Sequence, residues 1–303
     1  MVKQSTPDPG TLYVVATPIG NMDDITLRAL KVLQTVGRIA AEDTRRSGRL
    51  LAYHGIKTPL ISYHEHNERR RTGELLENLA RGESIALVSD AGTPAISDPG
   101  YVLVHEAVMR GFKVSPIPGP SAAISALSAA GLPTDAFLFL GFPSRKAGRR
   151  QRELAALADE SRTLIWYESP HRIARFVQQV HDILGERFAV IGREITKRYE
   201  EFLRGPLSQL AQELRDRRDI KGEITFLVAG CERVRREHAP QIQDAIVRGL
   251  RDGRQSHSAL AREIAAAYGL SRRKAYRLIL SRRATPFPQG DDDSGDGGPD
   301  PQA

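Results

Sequence analysis

Cysteine is almost missing from this 303-residue chain. Cys231 stands alone, which excludes a disulfide framework and a zinc site built on thiolates. Long apolar runs are missing as well. No window approaches the roughly 20 apolar residues of a membrane span. Residues 1–10 are polar and proline-containing, with no apolar signal core, and read as a short disordered lead. A cytoplasmic protein is the expectation. The chain has neither a phosphate-cradling GxxxxGK(S/T) loop nor a GxGxxG dinucleotide turn, which sets aside the ordinary nucleotide-binding folds. His64, Glu65 and His66 match no standard zinc spacing, so no metal is expected, and the run reads as a substrate-contacting or structural loop. No internal repeat of fixed period is present.

Charge of one sign is missing from the end of the chain. Residues 286–303 hold five aspartates and no Lys or Arg, a composition expected to be disordered. Removing those five charges from a formal net charge of +7 leaves +12 on residues 1–285. Such a body fits a polyanionic partner, nucleic acid foremost, or a surface that merely stays soluble. At 40% apolar and 27% charged residues, the chain is otherwise an ordinary globular one.

Strand-like and helix-like segments alternate. Leu12–Ala16, Arg38–Ala41, Ser84–Val88 and Phe112–Pro116 read as strands, and Asp24–Val36, Arg45–His54 and Tyr101–Arg110 as helices. Asp23 and Asp24 are cap candidates for the first helix. After Pro118-Gly119-Pro120 a second block begins. Its strands are placed at Phe137–Gly141, Thr163–Tyr167, Phe188–Ile191 and Ile224–Ala229, and its helices at Ser121–Ala130, Arg149–Ala158, His171–Leu184 and Pro206–Arg215. The fold class expected is α/β: two α/β domains, residues 11–119 and 120–230, built on mostly parallel sheet with helices on both faces. Residues 231–285 read as a helical, helix-turn-helix-like unit. One helix runs up to a turn at Gly269, and a second is capped by Ser271 and carries Arg272, Arg273, Lys274 and Arg277. A plain helical hairpin with a solvated basic face is the alternative.

Three turns carry the chemistry. Ala16-Thr17-Pro18-Ile19-Gly20-Asn21 links the first strand to the first helix, at the sheet edge where open α/β folds bind ligands. Ser89–Gly100 spends twelve small, polar and turn-forming residues where two to four would suffice, which marks a ligand loop. Asp90 is placed there to accept hydrogen bonds from a ligand, whereas Asp98, before Pro99, reads as a helix N-cap. Pro116–Ala123 ends one strand and opens a helix that Ser121 can cap, with free N–H groups that can face a ligand. An interdomain linker would look the same.

The order of these turns resembles the tetrapyrrole methylase superfamily. Further runs are similar to its ribosomal RNA small subunit methyltransferase I branch, the cytidine-2′-O-methyltransferases of 16S rRNA: Ala41-Glu42-Asp43-Thr44-Arg45-Arg46, Tyr63-His64-Glu65-His66-Asn67-Glu68, Tyr167-Glu168-Ser169-Pro170-His171-Arg172, Arg193-Glu194-Ile195-Thr196-Lys197 and Lys221-Gly222-Glu223. The likeness spans about Thr11 to Gly230, and the family's extra C-terminal helical segment has a counterpart in Cys231–Arg283. The resemblance implies S-adenosyl-L-methionine as methyl donor, folded into a cleft between the two domains. By motif match the donor would touch Pro18, Ile19, Asp90, Ala91, Gly92, Thr93, Ser121, Ala122, Glu168, Ile195, Gly222 and Thr225. It also implies a homodimer and, as partner, 16S rRNA or the small ribosomal subunit.

A donor that carries its own electrophile needs no metal and no protein nucleophile, so the chain's task is to hold the acceptor in line and assist its proton. Candidates for that assistance are Glu42, Asp43, Glu194 and Lys197. Each can equally belong to an ion-pair network, as Glu42 before Arg45 and Arg46 illustrates. Candidate RNA-binding cations are Arg45, Arg46, Arg69, Arg70, Arg71, Arg145, Lys146, Arg149, Arg150, Arg272, Arg273 and Lys274, the run at 145–150 being read as a mobile loop. Trp166 and Tyr167 read as core. Two alternatives stand beside rRNA methylation: a tetrapyrrole acceptor, which would need a wide apolar cleft, and a nucleic-acid-binding regulator without catalysis, which would need no donor pocket.

Overall fold

A computed structural model describes residues 8–252, 255–268, 270 and 272–283. The chain divides into two compact units, Met1–Glu232 and Arg233–Ala303. The first holds two five-stranded sheets with their helices.

The first sheet joins β1 (Thr11–Val15), β2 (Arg38–Ala41), β3 (Leu60–Ser62), β4 (Ile85–Val88) and β5 (Lys113–Ile117) in the order β3-β2-β4-β1-β5. All its pairings are parallel. Parallel strands require crossovers, which α1 (Leu27–Thr35), α2 (Thr44–Tyr53), α3 (Glu68–Ala80) and α4 (Tyr101–Met109) supply. Apolar residues fill both faces. Ile39, Ala41, Ala86 and Val88 pack under α1 and α2, while Leu12, Ala40, Ile85 and Leu87 pack against Leu75, Leu79 and Leu103. A parallel sheet covered on both sides reads as continuous apolar runs, which is why β4 is buried at all four positions. The consequence for function is that every carboxyl strand end opens on one edge, and the loops after β1, β2, β4 and β5 meet there.

The second sheet joins β6 (Phe137–Phe139), β7 (Thr163–Glu168), β8 (Phe188–Arg193), β9 (Glu201–Pro206) and β10 (Ile224–Val228) in the order β6-β7-β10-β8-β9. Only β6–β7 is parallel, and the other three pairings are antiparallel. Here the expectation of mostly parallel sheet gives way, because β9 returns directly beside β8 without a helical crossover. α5 (Ala122–Ala130) covers one face through Ala123, Ala126, Leu127 and Ala130, whose small side chains let the helix lie close. α6 (Ala147–Ala155), α7 (Pro170–Leu184) and α8 (Leu207–Asp216) cover the other around Trp166, Phe176 and Phe226.

Several local expectations are corrected. α1 is capped by Thr26, whose hydroxyl accepts from the Ala29 N–H at 3.1 Å. Asp23 and Asp24 lie instead in a short 3-10 turn that the Asn21 side chain starts. Gly100, not Asp98, occupies the N-cap of α4, at φ 133. Ser121 holds the N-cap position of α5 but makes no side-chain capping bond. Gly10, counted with the disordered lead, is buried, and its N–H donates to Leu79 O at 2.8 Å. Ala147–Arg150 form the first turn of α6 rather than a mobile loop.

The second unit contains α9 (Glu232–Asp252), α10 (His257–Tyr268) and α11 (Arg272–Arg283). Ile246, Leu260, Ala261, Ile264, Ala275 and Ile279 form its core. α9 and α10 meet at Gly249, where a β-carbon would come within 2.3 Å of Leu260. Gly269 and Ser271, read as turn and cap, lie outside the described residues, as do residues 1–7 and the acidic tail. No helix among the described residues is long and apolar enough to cross a membrane.

Candidate active site

The loops at the carboxyl edge of the first sheet are laced together by their backbones. Thr17 and Gly92 exchange N–H···O bonds of 2.8 and 3.0 Å, joining the loop after β1 to that after β4. The Thr93 hydroxyl donates to Pro120 O at 3.4 Å, joining the loop after β4 to that after β5. Gly119 lies so close to Ala16 that a β-carbon would stand 3.0 Å from the Ala16 β-carbon. Within the long loop Ala95 and Ser97 take left-handed φ values of 67° and 65°. Such backbone is costly for a side-chain-bearing residue and persists where its surroundings hold it.

Across from these loops lie the end of β7 and the start of β10. The space between encloses about 420 Å³, within the range of small-molecule sites. Ile19, Ile96, Phe142 and Tyr167 give it apolar walls, and Glu42, Asp90, Asp98, Glu168 and Glu223 bring carboxylates to it. A larger groove, about 620 Å³, belongs to the C-terminal unit. Its wall is made of α9 and α10 residues with Gln255 between them, and no strand-end loops converge on it, so the smaller cleft is the better site.

The carboxylates are differently held. Asp90 Oδ1 accepts from the Asp43 N–H at 3.0 Å, and Oδ2 stands 3.3 Å from Arg46 Nη1. Glu168 is buried, and one of its oxygens accepts from the Ser169 N–H and from Arg172 Nε, each at 2.7 Å. Burial, then the negative charge of Asp90, pushes the Glu42 carboxyl above its ordinary value. Burial, then the charge of Glu42, lifts Asp98 to about 6, against a partly compensating hydrogen bond from Ser89. Asp98 therefore changes protonation close to neutrality.

Of the residues expected to bind the donor, Ile19, Asp90, Ala91, Gly92, Thr93, Ser121, Ala122, Glu168, Gly222 and Thr225 line this cleft. Pro18 lies off the lining. Ile195 packs behind it, in the same cluster as Ile19, Ala123 and Leu127. Of the proton-handling candidates, Glu42 alone is on the lining. Asp43 caps α2 through the Arg45 N–H, and its bond to the Arg45 side chain holds its pKa down at about 2. Glu194 and Lys197 form a clasp. Lys197 Nζ donates to Glu194 Oε1 at 2.8 Å and to Glu223 Oε2 at 3.0 Å, while the Asn21 N–H donates to Thr196 Oγ1 at 3.1 Å. The clasp ties the loop after β1 to the start of β10, and so borders the cleft from behind.

Arg46, expected to meet RNA, lines the cleft and pairs with Asp90. Arg45 pairs with Asp43, Arg71 with Glu74 and Arg149 with Glu153. Arg150 donates to Gln179 and to Ser144 O. Arg69, Arg70, Arg145, Lys146, Arg272 and Arg273 are exposed. The side chain of Lys274 lies outside the described residues. Trp166 is core, but Tyr167, one step along the strand, faces the cleft and accepts from the Ala123 N–H at 3.2 Å. Strand alternation could have separated the two. Ile96 and Ser97 fall within the ligand loop Ser89–Gly100 without being singled out, and Phe142 had no motif to announce it. No cluster of metal-binding side chains occurs among the described residues.

The profile of the Tetrapyrrole (Corrin/Porphyrin) Methylases matches residues 11–211, which include nearly all the loops of the cleft. The chain belongs to the tetrapyrrole methylase family. It is 50% identical over 240 residues to Ribosomal RNA small subunit methyltransferase I of Pseudomonas aeruginosa, covering 78% of this chain and 83% of that one. With the protein of the same name from Synechocystis it shares 46% over 283 residues, 91% of this chain and 99% of that one. Among solved structures, the methyltransferase CobJ superposes with a TM-score of 0.57 at 19% identity, covering 73% of this chain and 95% of that one. Diphthine synthase superposes at 0.56 with 14% identity, covering 73% and 90%. These two establish the methylase fold.

The methyl donor is S-adenosyl-L-methionine, and the cleft fits it. Gly92, at φ 80, leaves room beside Ile19 and Pro120 O, apolar walls suit a purine, and carboxylates suit hydroxyl, ammonium and sulfonium groups.

Proposed function

We propose that this methylase transfers a methyl group from S-adenosylmethionine to the 2′-hydroxyl of a cytidine in 16S rRNA of the small ribosomal subunit. The observation that carries the reading is the pairing of a donor-sized, carboxylate-lined cleft with relatives named for that subunit's RNA, aligned over most of both chains. The net charge of +12 on residues 1–285 and the exposed cations Arg69, Arg70, Arg145, Lys146, Arg272 and Arg273 supply the phosphate contacts such a substrate needs.

When bound, S-adenosylmethionine supplies an electrophilic sulfonium methyl. Ile19, Gly92, Ser121, Ala122 and Thr225 shape the pocket that holds it, and Asp90 and Glu168 anchor its polar groups. Asp98 receives the acceptor hydroxyl's proton: with a pKa of about 6 it is ionised at neutral pH yet remains basic enough to accept. Burial, and after it the charge of Glu42, keeps that value high. Glu194 and Lys197 position the β10 side of the cleft. Two lobes dividing at 119/120, a homodimer and a cytoplasmic location complete the proposal.

The test is incorporation of labelled methyl from S-adenosylmethionine into isolated small subunits, followed by mapping of the modified ribose. Label in a cytidine 2′-O-methyl group supports the reading. Label in a base, or transfer only to a tetrapyrrole, overturns it.

A further inference from the structure

A second groove, about 360 Å³, adjoins the donor cleft, and the two share a wall. Ser97 and Asp98 line both, while Glu65, Glu68, Pro99, Gly100, Tyr101 and Val102 complete the second. Of the two shared residues Ser97 takes a left-handed φ of 65°, two positions after Ala95 at 67°. The far wall is fixed as well. Asn67 Oδ1 accepts from the His64 N–H at 2.9 Å, and Asn67 Nδ2 donates to Ser62 O at 3.2 Å, which holds the turn carrying Glu65 and Glu68. Tyr101 is 68% exposed, and its ring stacks on His105 with centroids 5.7 Å apart and planes 21° from parallel. Arg69 and Arg70 stand exposed at the start of α3, immediately after Glu68.

Resting on the reading that the acceptor is an RNA nucleotide, we propose that this groove receives that nucleotide, with its base stacked on Tyr101 and its exocyclic amine held by Glu65 and Glu68. An aromatic ring already braced by a neighbour is a stacking platform that every base can use. Two carboxylates accept only, so they select a base that donates: cytosine presents an N4 amine where uracil presents an oxygen. The base lies on the carboxylate side, and Arg69 and Arg70 meet the backbone phosphates, which offsets the cost of bringing a polyanion near Glu65 and Glu68. A nucleotide so placed has its ribose at the shared wall, beside Asp98 and next to the donor cleft. The division of labour is then spatial: base identity is read in one groove, and the methyl group is held in the other.

The experiment measures binding of the full-length protein to two short oligouridylates, one with a single central cytidine. The parent should hold the cytidine-containing strand about tenfold tighter, equivalent to ~1.4 kcal/mol. Glu65→Gln with Glu68→Gln should bring the two strands level, because an amide serves either base. Tyr101→Ala should weaken both roughly tenfold, and Tyr101→Phe should leave both unchanged. Calorimetric donor affinity, a readout of folding as well, should stay at the parent value in all variants. A parent without cytidine preference overturns the proposal, as does a preference that survives in the double variant. A Tyr101→Ala variant that binds like the parent overturns the stacking. If small subunits take no methyl group from the parent while the oligonucleotide pattern holds, the rRNA reading falls and the groove remains.

Discussion

Asp90 uses its two oxygens differently: one fixes the backbone after β2 through the Asp43 N–H, and the other balances Arg46. Asp90→Ala should therefore weaken donor binding by roughly 1.5–3 kcal/mol, the usual loss for a hydrogen bond to a charged group, while the fold persists. Calorimetric titration with S-adenosylmethionine checks this, and unchanged affinity would remove Asp90 from the site. Asp98 gives a pH signature. Its carboxyl, lifted from 3.8 to about 6, binds its proton more tightly folded than unfolded. Its contribution to stability is complete below 3.8 and is lost as pH rises through 6. Asp98→Asn should thus be more stable than the parent at neutral pH, on the order of 1 kcal/mol once solvent screening is allowed for, with most of that difference gone at pH 4. Denaturant unfolding at both values decides. Methyl transfer by the parent should rise through pH 6, and in Asp98→Asn that rise should vanish. The sequence shows Asp90 plainly, at a strand end inside an overlong loop. It misplaces Asp98, because Asp-Pro-Gly before a helix is also how caps are written, and only the left-handed backbone at Ala95 and Ser97 turns that carboxylate into the cleft.

Among the elements, the strands of the first sheet are legible because burial on both faces leaves unbroken apolar runs. α3 and β9 are not. The Arg69–Arg71 run hides the helix behind its charge, and β9, an edge strand reading Glu-Phe-Leu-Arg-Gly-Pro, has too little apolar character to declare itself. The clasp of residues 194–197 also escapes sequence reading, since its partners are supplied by distant loops. Its weak point is Gly222. At φ 95 the backbone disfavours any side chain, and a β-carbon would stand 2.4 Å from the Glu194 carboxylate. Gly222→Ala should cost about 1–3 kcal/mol and loosen donor binding, as Glu194 gives up its bonds to Lys197 and the Glu223 N–H. Chemical denaturation and calorimetry measure the two losses. A variant with parental stability would show that Glu194 moves aside freely.

At the scale of the whole molecule, the charge pattern is visible from composition, but its distribution over partners is not. Arg149 and Arg150 are engaged by Glu153, Gln179 and Ser144, whereas Arg145 and Lys146 are exposed ahead of α6. Replacing only Arg145 and Lys146 by Ala should weaken binding to small subunits and flatten the log–log salt slope by at most about 1.4, from ~0.7 per single-strand phosphate contact. Donor affinity should not change. Binding assays across a salt series test it, and parallel lines for the variant and the parent would remove this pair from the RNA surface.

The clasp also has a consequence in time. The bond from Asn21 to Thr196 spans 175 positions, and the cleft draws its lining from Ile19 through Thr225. During synthesis the first sheet is complete once residue 117 has emerged, but it then owns only one side of a pocket. Nothing can hold the donor until β10 and the clasp have left the ribosome and docked. The nascent chain is thus an unloaded half-site while residues 118–228 are being added, and competence to methylate arrives in a single late step.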